Sequence, residues 1–304
     1  MAAASSRAPL PPLPFPCPVA RAATRRRGVR MASSAWTPLS TTIEVPGAAG
    51  PVVVVGAPGL PEADFRNAVD SALFEQWLSN LQSEKGVLTY GRLNLTRILI
   101  QGVDMFGKRV GFLKFKADII DEETKTKVPG IVFARGPAVA VLILLECSGQ
   151  TYAVLTEQVR VPVGKFLLEL PAGMLDDEKG DFVGTAVREV EEETGIKLNL
   201  EEMVDLTALL DPATGGRMIP SPGGCDEEIG LFLYRGRVDE TIRSLQGKET
   251  GLRDHGELIK LRVVPYSQLW RSTADAKALC AVALYEMAKR EGLLPSPSSP
   301  SANL

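Results

Sequence analysis

Glu189, Glu192 and Glu193 are the residues whose type and spacing say most about chemistry. They close residues 181–194, whose periodicity predicts a helix stopped by Gly195, a residue suited to the position just past a helix end. At about 100° per residue, Val183, Ala186, Val187 and Val190 share one face and predict core packing, with the three glutamates projecting from the opposite side. Glutamates four positions apart repel by roughly 0.2–0.5 kcal/mol per pair. They also stand at the helix C-terminus, where the macrodipole disfavours negative charge. Two local rules broken within one turn mark a candidate functional site. A divalent cation would resolve the conflict. Carboxylates at i and i+4 can converge on Mg²⁺, a hard ion that prefers oxygen and keeps waters for substrate phosphates. On this helix alone the alternative is a solvated glutamate-rich face.

Other residues bound the chemistry. Arg160 ends a predicted strand and could fork onto phosphate oxygens; the alternative is a surface arginine in an ion pair. Pro171, Ala172 and Gly173 end a further strand and expose backbone carbonyls near the acidic helix. His255 is the only histidine, so an H-E-x-x-H or two-histidine metal site is excluded. No G-x-x-x-x-G-K-[ST] phosphate loop occurs. Cys17, Cys147, Cys225 and Cys280 show no C-x-x-C spacing, which argues against zinc ribbons and dithiol redox sites and fits a reducing compartment.

Gly173 followed by Arg188-Glu189-Val190-Glu191-Glu192-Glu193-Thr194-Gly195-Ile196 resembles the Nudix box, G-x5-E-x7-R-E-U-x-E-E-x-G-U, with U a bulky apolar residue. The second half matches fully. In the first half the spacing is one residue longer than in the family. The first glutamate falls on Lys179 counting forward from Gly173 and on Gly180 counting back from Arg188, with Glu178 or Asp181 as possible substitutes. Glu157-Gln158-Val159-Arg160, Glu169-Leu170-Pro171-Ala172-Gly173 and Ser221-Pro222-Gly223-Gly224 resemble motifs of the ADP-ribose/ADP-sugar pyrophosphatase branch, of plant chloroplast type. The resemblance covers about residues 110–290. It implies an α+β chain: a Nudix fold, an α/β/α sandwich with a mixed sheet, preceded by a smaller N-terminal α+β dimerisation region. It implies Mg²⁺, with Mn²⁺ as substitute, held by Glu189, Glu192, Glu193 and the Ala172 carbonyl. It implies substrate contacts from Arg160, Ser221 and Gly223. The metal-binding glutamates would be poor bases, because a bound cation depresses their pKa. The polar, glycine-rich residues 246–256 occupy the position of the family's base-bearing loop. Glu257 is the first candidate for the base and His255 the second, with Glu192 or the acidic turn at 226–228 next. The implied activity is hydrolysis of nucleoside diphosphate sugars, ADP-glucose or ADP-ribose foremost, to AMP and a sugar phosphate.

The elements that must position these residues are legible from periodicity. An apolar strand is expected over 52–55. A helix over 61–84 follows, with Phe65, Val69, Leu73, Trp77 and Leu81 recurring every four residues. Strands are expected over 97–101, 109–120 and 127–135, and a buried strand over 139–145 with a hairpin partner over 152–158. Residues 204–210, 228–235 and 259–264 read as strands, and 273–290 as a closing helix. The Pro/Gly-rich loop at 211–226 is long enough to suggest a specificity loop over the sugar. Mixed strands and helices without strict alternation favour a layered α+β fold.

The chain has 304 residues and is 45% hydrophobic and 23% charged, which excludes disordered and disulfide-scaffold classes. The longest uncharged apolar run, 137–145, is too short to span a bilayer. Residues 1–35 hold six arginines and no acid, the composition of an organelle transit peptide, and the proline-rich start suggests the chloroplast. The stroma is the expected location, with a cytosolic form possible from Met31. Loss of those six charges moves the net charge from −3 to −9. That disfavours nucleic acid and anionic membranes as partners. The expected division is 1–35 transit peptide, 36–125 dimerisation region, 126–292 hydrolase domain and 293–304 disordered tail, with a homodimer as the assembly. Two other functions stay in view. One is a nucleotide-sugar sensor on a degraded Nudix fold, which the shifted half-box would suit. The other is an RNA cap hydrolase, which the acidic charge disfavours.

Overall fold

The computed structural model describes residues 38–175, 181–239, 242–251 and 256–295. The expected targeting segment, Glu178, His255 and most of the expected tail lie outside them. The first layer begins with β1 (Ser40–Ile43) antiparallel to β2 (Val52–Gly56). Helices α1 (Glu62–Val69) and α2 (Ala72–Gln82) then carry the chain to β3 (Leu93–Phe106), parallel to β2. β4 (Arg109–Asp121) folds back on β3, and its other edge takes β5 (Lys127–Val128) and β6 (Ile131–Ala134).

The helix expected over 61–84 is two helices, and Ser71 divides them. Its hydroxyl donates to the Ala68 carbonyl (2.7 Å) and accepts from the Phe74 N–H (3.2 Å), capping α2. Serine offers the backbone this local alternative to a continuous helix. The apolar repeat survives the break, and Phe65, Phe74 and Trp77 are buried against the sheet. Trp77 meets Phe115 edge-on with ring centroids 4.6 Å apart. The strand expected over 127–135 is split at Pro129, which has no N–H to give a ladder.

The second sheet is mixed. β7 (Ala138–Cys147) turns through Ser148-Gly149, both at positive φ, into antiparallel β8 (Gln150–Arg160). That two-residue turn matches strand twist. β9 (Lys165–Glu169) and β10 (Ala172–Met174) follow, then α3 (Phe182–Thr194). The chain continues through β11 (Val204–Asp205), β12 (Ile229–Arg237), α4 (Ile242–Leu245), β13 (Glu249–Thr250), β14 (Ile259–Pro265), α5 (Tyr266–Ser272) and α6 (Ala276–Glu291). The sheet order is β11-β12-β7-β8-β14-β13, with β10 also on β7 and β9 also on β8. The strand expected over 204–210 stops at Asp205. Its carboxylate accepts from the Thr207 and Ala208 N–H groups and turns the chain out of the sheet.

Side-chain alternation along β7 builds two cores. Val139, Val141, Ile143 and Leu145 pack with Ala186 and Val190 of α3. Ala138, Ala140, Leu142 and Leu144 pack with Leu269 of α5 and Ala278, Ala281 and Tyr285 of α6. The result is the expected α/β/α sandwich, preceded by a smaller α+β layer.

Phe74, Trp77 and Phe115 meet ring to ring inside the first layer's core. Trp77→Ala should therefore cost about 3–5 kcal/mol, as for other buried tryptophans, read as a lowered urea midpoint. An unchanged midpoint would show that Trp77 carries no core energy.

Candidate active site

β7 and β8 pair only from Ile143–Cys147 to Gln150–Val154 and then part. The segment between β8 and α3 fills the fork. β9 takes up the remainder of β8, with Thr156 opposite Glu169 and Arg160 opposite Lys165. β10 takes up the start of β7, with Gly173 opposite Val139. Pro171 sits at the crossing, where its carbonyl accepts from the Val141 N–H (2.9 Å).

The C-terminal half of α3 lies against this fork. The Glu189 carboxylate occupies the space beside Gly173: a Cβ there would stand 1.8 Å from Glu189 Cδ. No residue but glycine leaves room for it. Glu193 is 7% exposed. Its Oε2 accepts from the Ala172 N–H (3.0 Å), and its Oε1 lies 3.5 Å from Gln158 Nε2. The expectation that all three glutamates project away from the apolar face is corrected here. Seven residues on a helix turn about 700°, so Glu193 falls within about 20° of Ala186 and shares its buried face. Glu189 is half-buried, and only Glu192 is exposed.

Burial pushes the Glu193 carboxyl up to about 8, the Ala172 N–H and Arg160 oppose this, and the charges of Glu189 and Glu257 reinforce it. Glu189, Glu193 and Glu257 thus stand within electrostatic reach of one another. Among the described residues no group of three or more His, Cys, Asp or Glu side chains is gathered tightly enough to hold a metal ion by itself. The donors at the fork are carboxylate oxygens, the ligand type of a hard cation that needs only one or two protein carboxylates.

Arg160 stands at the end of β8, and its Nε donates to Glu169 Oε2 (2.6 Å). Glu169 Oε1 accepts from Lys277 Nζ (3.0 Å). Burial alone would raise the Glu169 carboxyl, but Lys277 and Arg160 outweigh it and hold it below its ordinary range. Sequence reasoning quoted Gln158 and Glu169 only as motif letters, and it missed Lys277 altogether. Lys277 follows two residues after the Asp275 cap of α6 and carries no local signal.

Glu257 is exposed two residues before β14. Nearby, Thr250 Oγ1 donates to the Glu193 carbonyl (2.5 Å) and ties β13 to the end of α3. Ser221 and Gly223 lie on an exposed turn, where the Ser221 carbonyl accepts from Gly224 and Cys225 N–H groups. That turn docks on β6, with the Phe133 N–H donating to the Gly224 carbonyl (2.7 Å), and among the described residues no hydrogen bond joins it to the glutamates. Asp181, a possible stand-in for the first box glutamate, caps α3 by accepting from the Gly184 N–H (2.8 Å). Arg188 donates to Thr185 Oγ1 (3.2 Å), one turn back on its own helix.

Comparison with known proteins identifies the family. The NUDIX domain family model matches residues 134–283. The chain is 68% identical over 266 residues to Nudix hydrolase 14, chloroplastic, of Arabidopsis thaliana, covering 87% of this chain and 86% of that one. It is 37% identical over 99 residues to the methanol dehydrogenase activator of Bacillus methanolicus, covering 33% of this chain and 45% of that one. A crystal structure described as an ADP compounds hydrolase aligns with a TM-score of 0.45 and 15% identity over 67% of this chain and 97% of that one. The box helix seated in the strand fork, and a relative this similar along most of both chains, make the chain a member of the Nudix hydrolase family, a hydrolase of pyrophosphate bonds.

Proposed function

We propose that the chain hydrolyses the diphosphate bond of nucleoside diphosphate sugars, ADP-glucose and ADP-ribose foremost, releasing AMP and a sugar phosphate. One observation carries this reading: the buried Glu193 carboxylate, hemmed in by Glu189 and Glu257 at the fork. A bound cation would relieve the repulsion among these carboxylates. Mg²⁺, or Mn²⁺ in its place, suits the oxygen donors: Glu189 and Glu193 would hold it at the fork, and the box motif adds Glu192 and the Ala172 carbonyl. When bound, it neutralises the diphosphate and lowers the pKa of a water. The sugar-nucleotide preference rests on the motifs around Arg160, Pro171 and Ser221.

The chain's own residues have separable parts in this scheme. Arg160 presents the outer edge of its guanidinium to phosphate oxygens. Ser221 and Gly223 line the sugar side. Glu257 takes the proton of the attacking water on its carboxylate, with His255 as the second candidate. The arginine-rich start and the chloroplastic name of the similar Arabidopsis protein support a chloroplast stromal location, with a cytosolic form from Met31. Residues 36–125 are proposed to build a homodimer.

The purified protein with Mg²⁺ should turn over ADP-sugars in preference to UDP-sugars and capped RNA. Glu193→Gln and Gly173→Ala should each lower turnover by at least about a hundredfold, one by removing a ligand charge and the other by displacing Glu189. Turnover of capped RNA alone, or near-normal turnover by Glu193→Gln at saturating Mg²⁺, refutes the assignment.

The base is separable from the metal ligands. Glu257→Gln should lose at least about a hundredfold in kcat near neutral pH while still binding substrate, the usual worth of a general base. If His255→Ala behaves this way instead, the roles exchange; normal rates in both remove the two residues from consideration. Light scattering should give twice the monomer mass of 32.7 kDa. Monomer mass at micromolar concentration counts against the dimer.

A further inference from the structure

The hydrogen-bond chain behind Arg160 runs through the sheet to the opposite layer. Arg160 Nε donates to Glu169 Oε2 at 2.6 Å and Lys277 Nζ donates to Glu169 Oε1 at 3.0 Å, so each carboxylate oxygen has one fixed partner. Lys277 Nζ also donates to Asp275 Oδ1 at 2.8 Å. Asp275 is held in turn, because its carboxylate accepts from the Lys277 N–H and the Ala278 N–H at the start of α6. Thr273 fixes the approach, accepting from the Asp275 N–H and donating to the Leu168 carbonyl of β9. The side chains of Glu169 and Asp275 are each 6% exposed and that of Lys277 is 16% exposed, whereas Arg160 at the outer end is 41% exposed.

Stability alone is a poor explanation for this chain. Burying ion pairs costs desolvation that apolar side chains of similar volume avoid. What the arrangement gives is orientation. A carboxylate gripped at both oxygens is restrained in rotation, and through the Nε bond it restrains the guanidinium in turn. Among the described residues the two terminal nitrogens of Arg160 make no hydrogen bond, and that edge is the one shaped to fork onto phosphate oxygens.

We propose that Lys277, braced by Asp275 and gripping Glu169, is a positioning residue that fixes Arg160 for the diphosphate group and so links the start of α6 to substrate binding. The inference rests on the reading above that Arg160 meets the diphosphate.

A double-mutant cycle tests it on the full-length protein, using Arg160→Met, Lys277→Met and the pair. The first readout is calorimetric binding of inorganic pyrophosphate with Mg²⁺, which needs no turnover. The second is the KM against kcat split on an ADP-sugar. Lys277→Met should weaken pyrophosphate binding about tenfold, the worth of one charge-assisted hydrogen bond. KM should rise in proportion, with kcat changing less than about threefold. In the Arg160→Met background the same change should have no further effect. If Lys277→Met unfolds the protein at assay temperature, Lys277→Gln, which keeps a donor to Glu169 but drops the charge, carries the cycle with a smaller expected loss of about threefold beside Arg160 and none beside Arg160→Met. Equal losses in both backgrounds, or unaltered binding in Lys277→Met, overturn the proposal. A wild-type protein that binds no pyrophosphate overturns both this inference and the reading beneath it. A cycle that is non-additive in pyrophosphate binding, with a wild type that hydrolyses no nucleotide sugar, leaves the positioning role standing and removes only the proposed substrate.

Discussion

The parting of β7 and β8 is the constraint on which the rest of the site depends. Two antiparallel strands that separate leave unpaired backbone donors and acceptors, and a buried group of that kind costs about as much as a lost hydrogen bond. The chain closes the gap with β9 and β10, which pair with one strand of the fork each. Pro171 suits the crossing because it needs no partner for an N–H, while its carbonyl still serves Val141. The closure aims the Ala172 N–H at Glu193 and brings Gly173 flush against Glu189. One backbone solution thus sets the placement of both carboxylates.

Two buried carboxylates border this closure, and their surroundings differ in sign. Glu169 has a lysine and an arginine within hydrogen-bond distance and is held below the usual carboxylate range. Glu193 has a backbone N–H and the more distant Arg160 opposing burial and two glutamates reinforcing it, and is pushed up to about 8. Burial raises both; at Glu169 the two cations outweigh it, whereas at Glu193 burial remains the largest effect and the nearby glutamates add to it. A paired carboxylate is complete as it stands and belongs to the scaffold.

Local chemistry carried much of this in the sequence, and distance hid the rest. The acidic helix, its Gly195 stop and the β7–β8 hairpin are local patterns, and all were legible. The face of Glu193 was misjudged because three charged residues were grouped by type, although simple helix geometry put Glu193 over Ala186. Ser71 hid a helix break inside a continuous apolar repeat, since capping depends on one hydroxyl and not on periodicity. Asp205 ended a strand by the same means. The link from Lys277 to Glu169 spans 108 residues of sequence, and nothing local to either residue announces it. Long-range ion pairs of this kind follow from topology, which the apolar pattern fixes only in class.

The loop between β11 and β12 acquires a physical role from its attachments. Lys85, beyond the end of α2, donates to the carbonyls of Pro212 (3.1 Å) and Ala213 (3.0 Å) near the loop's start. Near its end, Gly224 accepts from Phe133 of β6, and the Asp226 carboxylate accepts from the Arg135 and Gly136 N–H groups. Burial raises the Asp226 carboxyl even though those N–H groups oppose it, so the group is committed to the seam and not to solvent. Both ends of the loop are therefore pinned by the N-terminal layer. A loop that merely joined two strands would need a few residues. This one is long because it must reach the neighbouring layer twice, and Ser221 and Gly223 sit between the two attachments. The smaller layer thus holds the loop at both ends as well as preceding it in the chain.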